Sequence, residues 1–285
     1  MSSIIGAGHE QPNVERYVGL SLGGGKSDRT TVTVIDYYRK QCKAFVIDVY
    51  ESVGAHDDYS ADEVLLEILS EFDIPVKVLA VDAPLTLPPC VNGCRKGCKG
   101  MAKCVVPEVR WMRNQFKKAH AQNKKLKQFT SYSQRPVDLF FRYRHLDQSG
   151  LHDETMGANQ APRAARMQYL KSHISAKVNL IEVWPKLTLF YVHKLFNLTR
   201  NQALSYRQLD EGIHIREHVV QSFIDDQNLF IYERDSKRFA TSISAFDSLI
   251  CAWAALNYGL GRCIEFRKDL PLQSGWIQIP KPLTE

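Results

Sequence analysis

The feature that most constrains the fold is a short apolar segment at residues 76–81 (VKVLAV), which ends at Asp82 and a proline turn. The segment is rich in β-branched residues and too short for a typical helix, so it predicts a buried strand. Many α/β enzymes place an acid at the end of such a strand, at the mouth of a site. Asp82 is therefore either a functional carboxylate or a residue that caps the turn before Pro84 through its own backbone.

Other strands precede this segment. Three runs of apolar and β-branched residues are joined by short connections and predict an antiparallel meander. They are residues 17–22, 30–37 and 44–50. Ser60 and Glu63 have the spacing of a capping box, and the apolar residues that follow recur at helical spacing, which predicts a helix over residues 61–72. The chain is thus predicted to be an α/β protein with a mixed sheet.

A fifth strand is predicted at residues 178–184, which end before Pro185. Period-two alternation places Glu182 on the same face as Val178, Leu180 and Trp184, an unfavourable place for a charge on a buried face. Either this is an edge position or Glu182 points into a site. Further helices are predicted over residues 161–173, 185–196, about 215–224 and 244–258.

The last of these helices carries a third acid. Asp247 follows Ser244 by three residues, so its local interpretation is a capping-box acid in the first helical turn. Asp82, Glu182 and Asp247 nevertheless form an ordered set of acids next to predicted strands and helices.

Length and hydropathy indicate one large domain. The chain has 285 residues, of which 44% are hydrophobic, enough for a full core. We expect a loose tail at residues 1–14 and one domain over residues 15–285, with an insertion at about 86–175. No apolar run approaches the roughly 20 residues of a membrane span, so we expect a cytoplasmic protein without a membrane partner.

Four of the seven cysteines lie close together within the expected insertion: Cys90, Cys94, Cys98 and Cys104. Nearby glycines allow tight turns, and a cytoplasmic compartment disfavours disulfides. The cluster predicts a structural, tetrahedral zinc site in preference to an iron–sulfur cluster or free thiols. An iron–sulfur cluster would instead favour a redox protein.

Basic residues are concentrated around this cluster. Between Arg95 and Lys127 there are eleven Lys or Arg residues and one acid, Glu108. A basic helix is predicted over residues 108–127, with Trp111, Met112 and Phe116 as its apolar positions. The basic side chains could contact a nucleic-acid backbone or only face solvent, whereas packing against the core is favoured for the three apolar ones.

A glycine-rich turn at residues 23–27 (GGGKS) superficially resembles a phosphate-binding loop. The required motif places glycine five residues before the Gly-Lys pair, and this chain has Leu20 there. The turn also joins two predicted strands instead of opening a helix. The sequence therefore argues against nucleotide kinase chemistry.

Four segments together resemble domain-of-unknown-function family 429. They are residues 81–85 (VDAPL), 181–185 (IEVWP), 246–252 (FDSLICA) and 275–280 (GWIQIP). Members of this family are predicted nucleases with a ribonuclease H-like fold. The resemblance implies a ribonuclease H-like mixed five-stranded sheet flanked by helices, with a Cys-rich, basic helical insertion.

The resemblance also implies a chemistry. Ribonuclease H-like nucleases hydrolyse phosphodiester bonds of nucleic acid with divalent cations, Mg²⁺ or Mn²⁺, held by acids. Asp82 and Asp247 match two of these acids and Glu182 is a candidate third. Ser21 stands where the first strand would carry another acid; Asp28 and Asp36 are its possible substitutes. A second hypothesis is therefore a catalytically inactive nucleic-acid-binding or scaffold protein that uses the Cys region and residues 108–127.

Overall fold

A six-stranded mixed β-sheet lies at the centre of the protein. The computed structural model describes residues 14–24, 29–94, 96–145, 151, 154–157 and 160–282. Its strands are β1 (Val14–Ser21), β2 (Thr31–Tyr38), β3 (Lys43–Tyr50), β4 (Val76–Val81), β5 (Asn179–Glu182) and β6 (Leu229–Phe230). Their order across the sheet is β5-β4-β1-β2-β3-β6. The expected tail at residues 1–14 falls outside the described residues except for Val14.

The predicted meander is confirmed, because β1 pairs antiparallel with β2 and β2 pairs antiparallel with β3. β4 is parallel to β1, and β5 is parallel to β4. The expectation of five strands is wrong, because the short β6 pairs in parallel with β3. Two residues are too few to show a period, so the sequence pattern does not reveal this strand.

Helices cover both faces of the sheet. They are α1 (Ala61–Ser70), α2 (Pro89–Gly93), α3 (Pro107–Gln122), α4 (Pro136–Arg144), α5 (Gln160–His173), α6 (Pro185–Val192), α7 (Arg200–Ser205), α8 (Glu211–Asp226), α9 (Glu233–Thr241) and α10 (Ile243–Gly259). The capping box of α1 is formed: the Glu63 N–H donates to Ser60 Oγ at 3.3 Å, and the Ser60 N–H donates to Glu63 Oε2 at 2.7 Å. The basic helix α3 ends at Gln122, earlier than predicted.

The last helix begins one residue earlier than predicted. Ser242 is its N-cap, and Ser242 Oγ accepts the N–H of Ala245 at 3.2 Å. Asp247 therefore lies beyond the first three helical residues, and the interpretation of Asp247 as a capping-box acid is wrong. Its carboxylate is left to bond elsewhere.

α10 packs directly on β1. A Cβ atom added to Gly19 would lie 2.1 Å from the Ser248 carbonyl oxygen and 2.2 Å from the Ala252 nitrogen, so only glycine allows this approach. At the other end of the helix, a Cβ on Gly259 would lie 2.3 Å from the Tyr17 ring. The helix thus runs opposite to β1, and its first turns lie over the carboxyl end of that strand.

The core has two main parts, one on each face of the sheet. α10 packs on one face with residues such as Tyr17, Val78 and Ala80. α1 and α5 pack on the other face with residues such as Leu79 and Val81. Within the expected insertion, α3 and α4 build a separate cluster around Met112 and Leu139, against which Trp111 and Phe116 pack, as predicted.

Within the described chain, no single helix is both long and apolar enough to cross a membrane. α9 and α10 pass such a test only as a pair, across a bend of 113°.

Candidate active site

Asp82 lies at the carboxyl end of β4, and its N–H donates to the Leu20 carbonyl at 3.1 Å. Its side chain is buried, with the residue 4% exposed. Oδ1 accepts the N–H of Leu22 at 2.6 Å, and Oδ2 accepts Ser21 Oγ at 3.1 Å and a hydrogen bond from Arg163. The carboxylate thus bonds to β1 and α5, not to the backbone of its own turn.

Asp247 lies in the early part of α10 and is only 3% exposed. Tyr206 Oη donates to Oδ1 at 2.6 Å, and Arg207 Nη2 donates to Oδ2 at 2.6 Å. Both donor residues come directly after α7, which ends at Ser205. Burial raises the pKa of Asp247, Arg207 opposes that shift, and the charge of Asp82 raises the pKa further.

The two acids therefore belong to one electrostatic network. Asp247 raises the pKa of Arg207 most strongly, and Asp82 contributes in the same direction. Each acid has its own guanidinium: Arg163 for Asp82 and Arg207 for Asp247. Two negative charges are matched by two positive charges, which makes this buried arrangement tolerable.

Ser21 occupies the position on β1 that faces this network. It shares a face of the strand with Gly19, which lies under α10, and donates to Asp82. Asp36 does not substitute for an acid there. It pairs in register with Arg16, at the opposite end of β1, and accepts from that arginine at 2.7 Å on each oxygen. Asp28 lies outside the described residues.

Glu182 is not brought to Asp82 and Asp247. It is 1% exposed and pairs in register with Val81, whose side chain packs on the face covered by α1 and α5. Arg135 binds both carboxylate oxygens at 2.7 Å, and the Leu85 N–H donates to Oε2 at 2.9 Å. The alternation grouped Glu182 correctly with Val178 and Leu180, but not with Trp184, which packs in another cluster because the strand ends at Glu182. The buried Arg135 pairs with Glu182 and also with Asp138.

A cleft of about 870 Å³ opens in front of Asp247. Its lining includes Ser21, Gly23, Gly24, Arg29, Arg163, Arg207, Leu209 and Asp247. Asp82 lines a smaller cavity of about 40 Å³ that shares Arg163 and Arg207 with the cleft. Three arginines line this cleft, and guanidinium groups are able to bind phosphate oxygens through directed N–H groups.

The chain matches the model of a protein family over residues 28–270; the family is described as "Protein of unknown function (DUF429)". The chain belongs to this family. The matched region contains Asp82, Glu182 and Asp247 but begins after Ser21, so it does not include β1. No curated protein and no solved structure matches the chain.

Sequence reasoning missed the basic half of the site. Arg163 is 81 residues from Asp82 in the chain, and Arg207 is 40 residues from Asp247. Neither arginine belongs to a motif with its acid. Tyr206 was missed for the same reason, since 41 residues separate it from Asp247 in the chain.

The donor groups of this DUF429 site are oxygen atoms. Two carboxylates and the Ser21 hydroxyl supply oxygen ligands of the kind that Mg²⁺ and Mn²⁺ prefer. The oxygens of Asp247 accept one hydrogen bond each among the described residues, and a carboxylate oxygen has two lone pairs, so acceptor capacity remains. A neutral serine in place of a third acid does not supply the charge that a pair of divalent cations needs.

The cysteine cluster is partly assembled. The pKa of the Cys94 thiol is raised, chiefly by its contact with Cys98 and less by Cys90, so these three side chains are neighbours. Cys90 and Cys104 both pack at the edge of the cluster around Met112. Among the described residues, which omit Arg95, no group of three or more His, Cys, Asp or Glu side chains is placed to hold a metal. Zinc at these cysteines remains a prediction.

Proposed function

We propose that the protein hydrolyses phosphodiester bonds of nucleic acid at Asp82 and Asp247. One observation carries this proposal: two buried carboxylates from different elements, Asp82 and Asp247, are each paired with an arginine, and both arginines line the cleft at Asp247. Carboxylates placed next to bound phosphate are unfavourable unless a cation lies between them. Such a pair is therefore typical of cation-assisted phosphoryl chemistry.

The order of the strands supports a ribonuclease H-like arrangement. Three antiparallel strands, β1 to β3, are extended on the other side of β1 by β4 and β5, which are parallel to it. Asp82 then stands at the end of β4, next to the β1 position that holds Ser21. This is the pattern that the resemblance to a nuclease family implies. Fold analogy is not itself a function, so the proposal depends on the residues.

Asp82, Asp247 and the hydroxyl of Ser21 would hold one Mg²⁺ or Mn²⁺ ion. When bound, such a cation polarises a phosphate and lowers the pKa of a water molecule. The chain's own contribution to phosphate binding comes from Arg163 and Arg207. In the described part of the chain, each bonds through Nε and Nη2, which leaves Nη1 available for an anion in the cleft.

Tyr206 orients the carboxylate of Asp247. Its hydroxyl donates to Oδ1, while it accepts a hydrogen bond from Arg207 Nε at 2.8 Å. Burial raises the pKa of Tyr206 well above its ordinary value, so the phenol keeps its proton and remains a donor. The carboxylate is thus held in one orientation when Arg207 turns toward a phosphate. The compartment that we propose for this activity is the cytoplasm.

A second candidate is a binding protein with an inactive nuclease fold. Both acids are already paired with arginines, and Ser21 contributes no charge. In that case the arginines would bind phosphate and the acids would only hold the arginines in place. The two candidates differ in whether a bound strand is cut.

The test is cleavage of labelled single-stranded, double-stranded and hybrid nucleic acids in Mg²⁺ or Mn²⁺. We expect cleavage by the wild-type protein and its loss in Asp82→Asn and Asp247→Asn. Asp58→Asn changes an exposed aspartate in the same way and should keep full activity. Cleavage that survives both site variants would refute the proposal. Binding without cleavage would favour the inactive fold.

A further inference from the structure

A second cavity lies between α3 and α4, in the part of the chain rich in basic residues. Its volume is about 230 Å³, and its lining includes Trp111, Gln115, Lys118, Phe140, Tyr143 and Arg144. None of these residues lines the cleft at Asp247. The proposed hydrolysis does not use this cavity.

The wall of the cavity is aromatic. Trp111 and Tyr143 are half-buried, while Phe140 is buried and packs against Phe141 and Trp276. The Arg144 guanidinium lies 4.3 Å from the centre of the Phe140 ring. Rings held in place by such packing offer a rigid face for stacking, and a cation beside a ring favours electron-rich planar groups.

Tyr143 adds an unused polar group. Its hydroxyl is buried and has no hydrogen-bond partner among the described residues. Burial raises the pKa of Tyr143 to about 12, so the phenol is neutral and can donate or accept. That hydroxyl has almost no accessible surface, so it lies behind the wall of the cavity. The charged groups that a ligand meets at the opening are those of Lys118 and Arg144.

The mouth of the cavity is positively charged. Lys118 and Arg144 are exposed there, and Lys117, Lys124, Lys125 and Lys127 are exposed nearby on α3 and the segment after it. Asp269 also lines the cavity, but Arg267 Nε donates to its Oδ1 at 2.9 Å. The net charge around the opening favours an anion.

We propose that this cavity binds one nucleobase of a single-stranded nucleic acid, stacked on Trp111, with the adjoining phosphates on Lys118 and Arg144. Single strands fit because the bases of a duplex are stacked on one another and cannot enter a cavity. The proposal depends on the proposed nucleic-acid partner but not on hydrolysis at Asp82 and Asp247. It would make α3 and α4 a holding site for the strand.

The test measures the dissociation constant of a fluorescent single strand of about 12 nucleotides by anisotropy, in buffer without added Mg²⁺ or Mn²⁺ so that the strand is not cut. Trp111→Leu removes the stacking face and should weaken binding about tenfold. Lys118→Glu should weaken binding. It should also make binding less dependent on salt concentration, because the strand releases about one counterion fewer when it binds.

Lys40→Glu is the matched control, since Lys40 is exposed in the turn between β2 and β3 and the change in charge is the same. Equal weakening by Lys40→Glu and Lys118→Glu would show attraction by net charge alone and overturn the proposal. So would a Trp111→Leu protein that melts normally and binds as the wild type does. Adenosine monophosphate is tested as a competitor. If it competes as well as the strand at an equal concentration of nucleotides, the cavity binds a free nucleotide instead, and the proposal of a single strand is overturned.

The two proposals can fail separately. Cleavage lost in Asp82→Asn with binding unaffected by Trp111→Leu would refute only this cavity. Binding weakened by Trp111→Leu in a protein that never cleaves would refute only the hydrolysis. The same binding variants can be made in the Asp82→Asn background, where cleavage is not expected.

Discussion

Arg207 donates from Nη2 to Oδ2 of Asp247 at 2.6 Å. The acid of the last helix is thus paired with an arginine that lies just after α7. The pair is asymmetric in exposure: the Arg207 side chain is 42% exposed and that of Asp247 is 4% exposed. The guanidinium is therefore able to turn into the cleft, whereas the carboxylate stays in place. If the proposed function is correct, Arg207 competes with the cation for the acid and also binds phosphate.

Arg207→Ala should separate these two roles. Removal of the guanidinium leaves two buried carboxylates with one positive charge, so the protein should bind Mn²⁺ several-fold more tightly. Cleavage should nevertheless fall by about tenfold or more, because a group that binds the phosphate is lost. Isothermal titration with Mn²⁺ and the rate of cleavage of a labelled strand measure the two effects.

Arg207→Lys is the control for charge in this experiment. It keeps one positive charge near Asp247 but not the planar fork of N–H groups. We expect Mn²⁺ binding close to wild type and cleavage between those of the wild type and Arg207→Ala. Weaker Mn²⁺ binding in Arg207→Ala would mean that the arginine does not compete with the cation.

The raised pKa of Asp247 predicts how stability changes with pH. A carboxyl with a higher pKa in the folded than in the unfolded protein contributes stability at low pH. That contribution is lost as pH rises from about 4 through the folded pKa. Asp247→Asn does not have this loss. The free energy of unfolding of the variant, measured relative to the wild type, should therefore increase as pH rises across that window. The gain should be about 1.4 kcal/mol per unit of pKa shift.

Urea unfolding of both proteins between pH 4 and pH 8 measures this difference. Asp58→Asn, at an exposed position, should show a constant difference from wild type over the same range. Cleavage should rise with pH in the window where Asp247 ionises, because the cation needs the carboxylate. A difference between Asp247→Asn and wild type that shrinks with rising pH would contradict the assigned direction of the pKa shift.

Glu182→Gln should act on stability more than on chemistry. Arg135 is fully buried and binds both oxygens of Glu182, and it is also paired with the buried Asp138. The substitution therefore weakens two charged hydrogen bonds but leaves Arg135 paired, and we expect a loss of about 2 kcal/mol in the free energy of unfolding. Glu67→Gln, on an exposed face of α1, should have no measurable effect. Denaturation by urea distinguishes the two.

Activity measured well below the melting temperature tests the role of Glu182 directly. If Glu182 only anchors α4 and the segment after β4, the folded fraction of Glu182→Gln should cleave at close to the wild-type rate. A folded variant of normal stability with no cleavage would instead return Glu182 to the set of catalytic acids.

The local parts of the fold could be predicted from the sequence because their determinants are local. The strand ending at Asp82, the capping box of Ser60 and Glu63, and the face of Glu182 each depend on residues a few positions apart. The pairings that define the site are not local. Arg135 meets Glu182 across 47 residues, and no period or motif connects them.

The same reasoning explains the errors. Asp82, Glu182 and Asp247 were grouped as one set of acids because of their order along the chain. That order does not specify on which face of the sheet each acid lies. β4 and β5 are neighbours, yet Glu182 lies beside Val81, one residue before Asp82. Side chains of successive residues point to opposite faces, so a one-residue offset separates the two acids.

The cysteine cluster predicts a dependence on metal. If zinc binds there, purified protein should contain about one equivalent, and Cys94→Ser with Cys98→Ser should lose it. The same change should destabilise the protein by several kcal/mol, because the binding energy of a structural metal is part of the folding energy. Elemental analysis and thermal melting measure both. Cys42→Ser, at an exposed cysteine outside the cluster, should change neither.

Gly19→Ala tests the contact that sets the site. α10 packs directly on Gly19. A Cβ atom at this position would lie 2.1 Å from a backbone oxygen and 2.2 Å from a backbone nitrogen of the helix. Backbone atoms cannot move aside as a flexible side chain can. We expect a loss of about 3 kcal/mol or more in the free energy of unfolding, from overpacking of the interface between β1 and α10. Any folded fraction should cleave poorly, because a shift of α10 moves Asp247 away from Asp82. Gly93→Ala is the control, since nothing lies within 4 Å of the added carbon, and it should melt as the wild type does. A Gly19→Ala protein of normal stability and activity would show that α10 does not pack on β1 in this way.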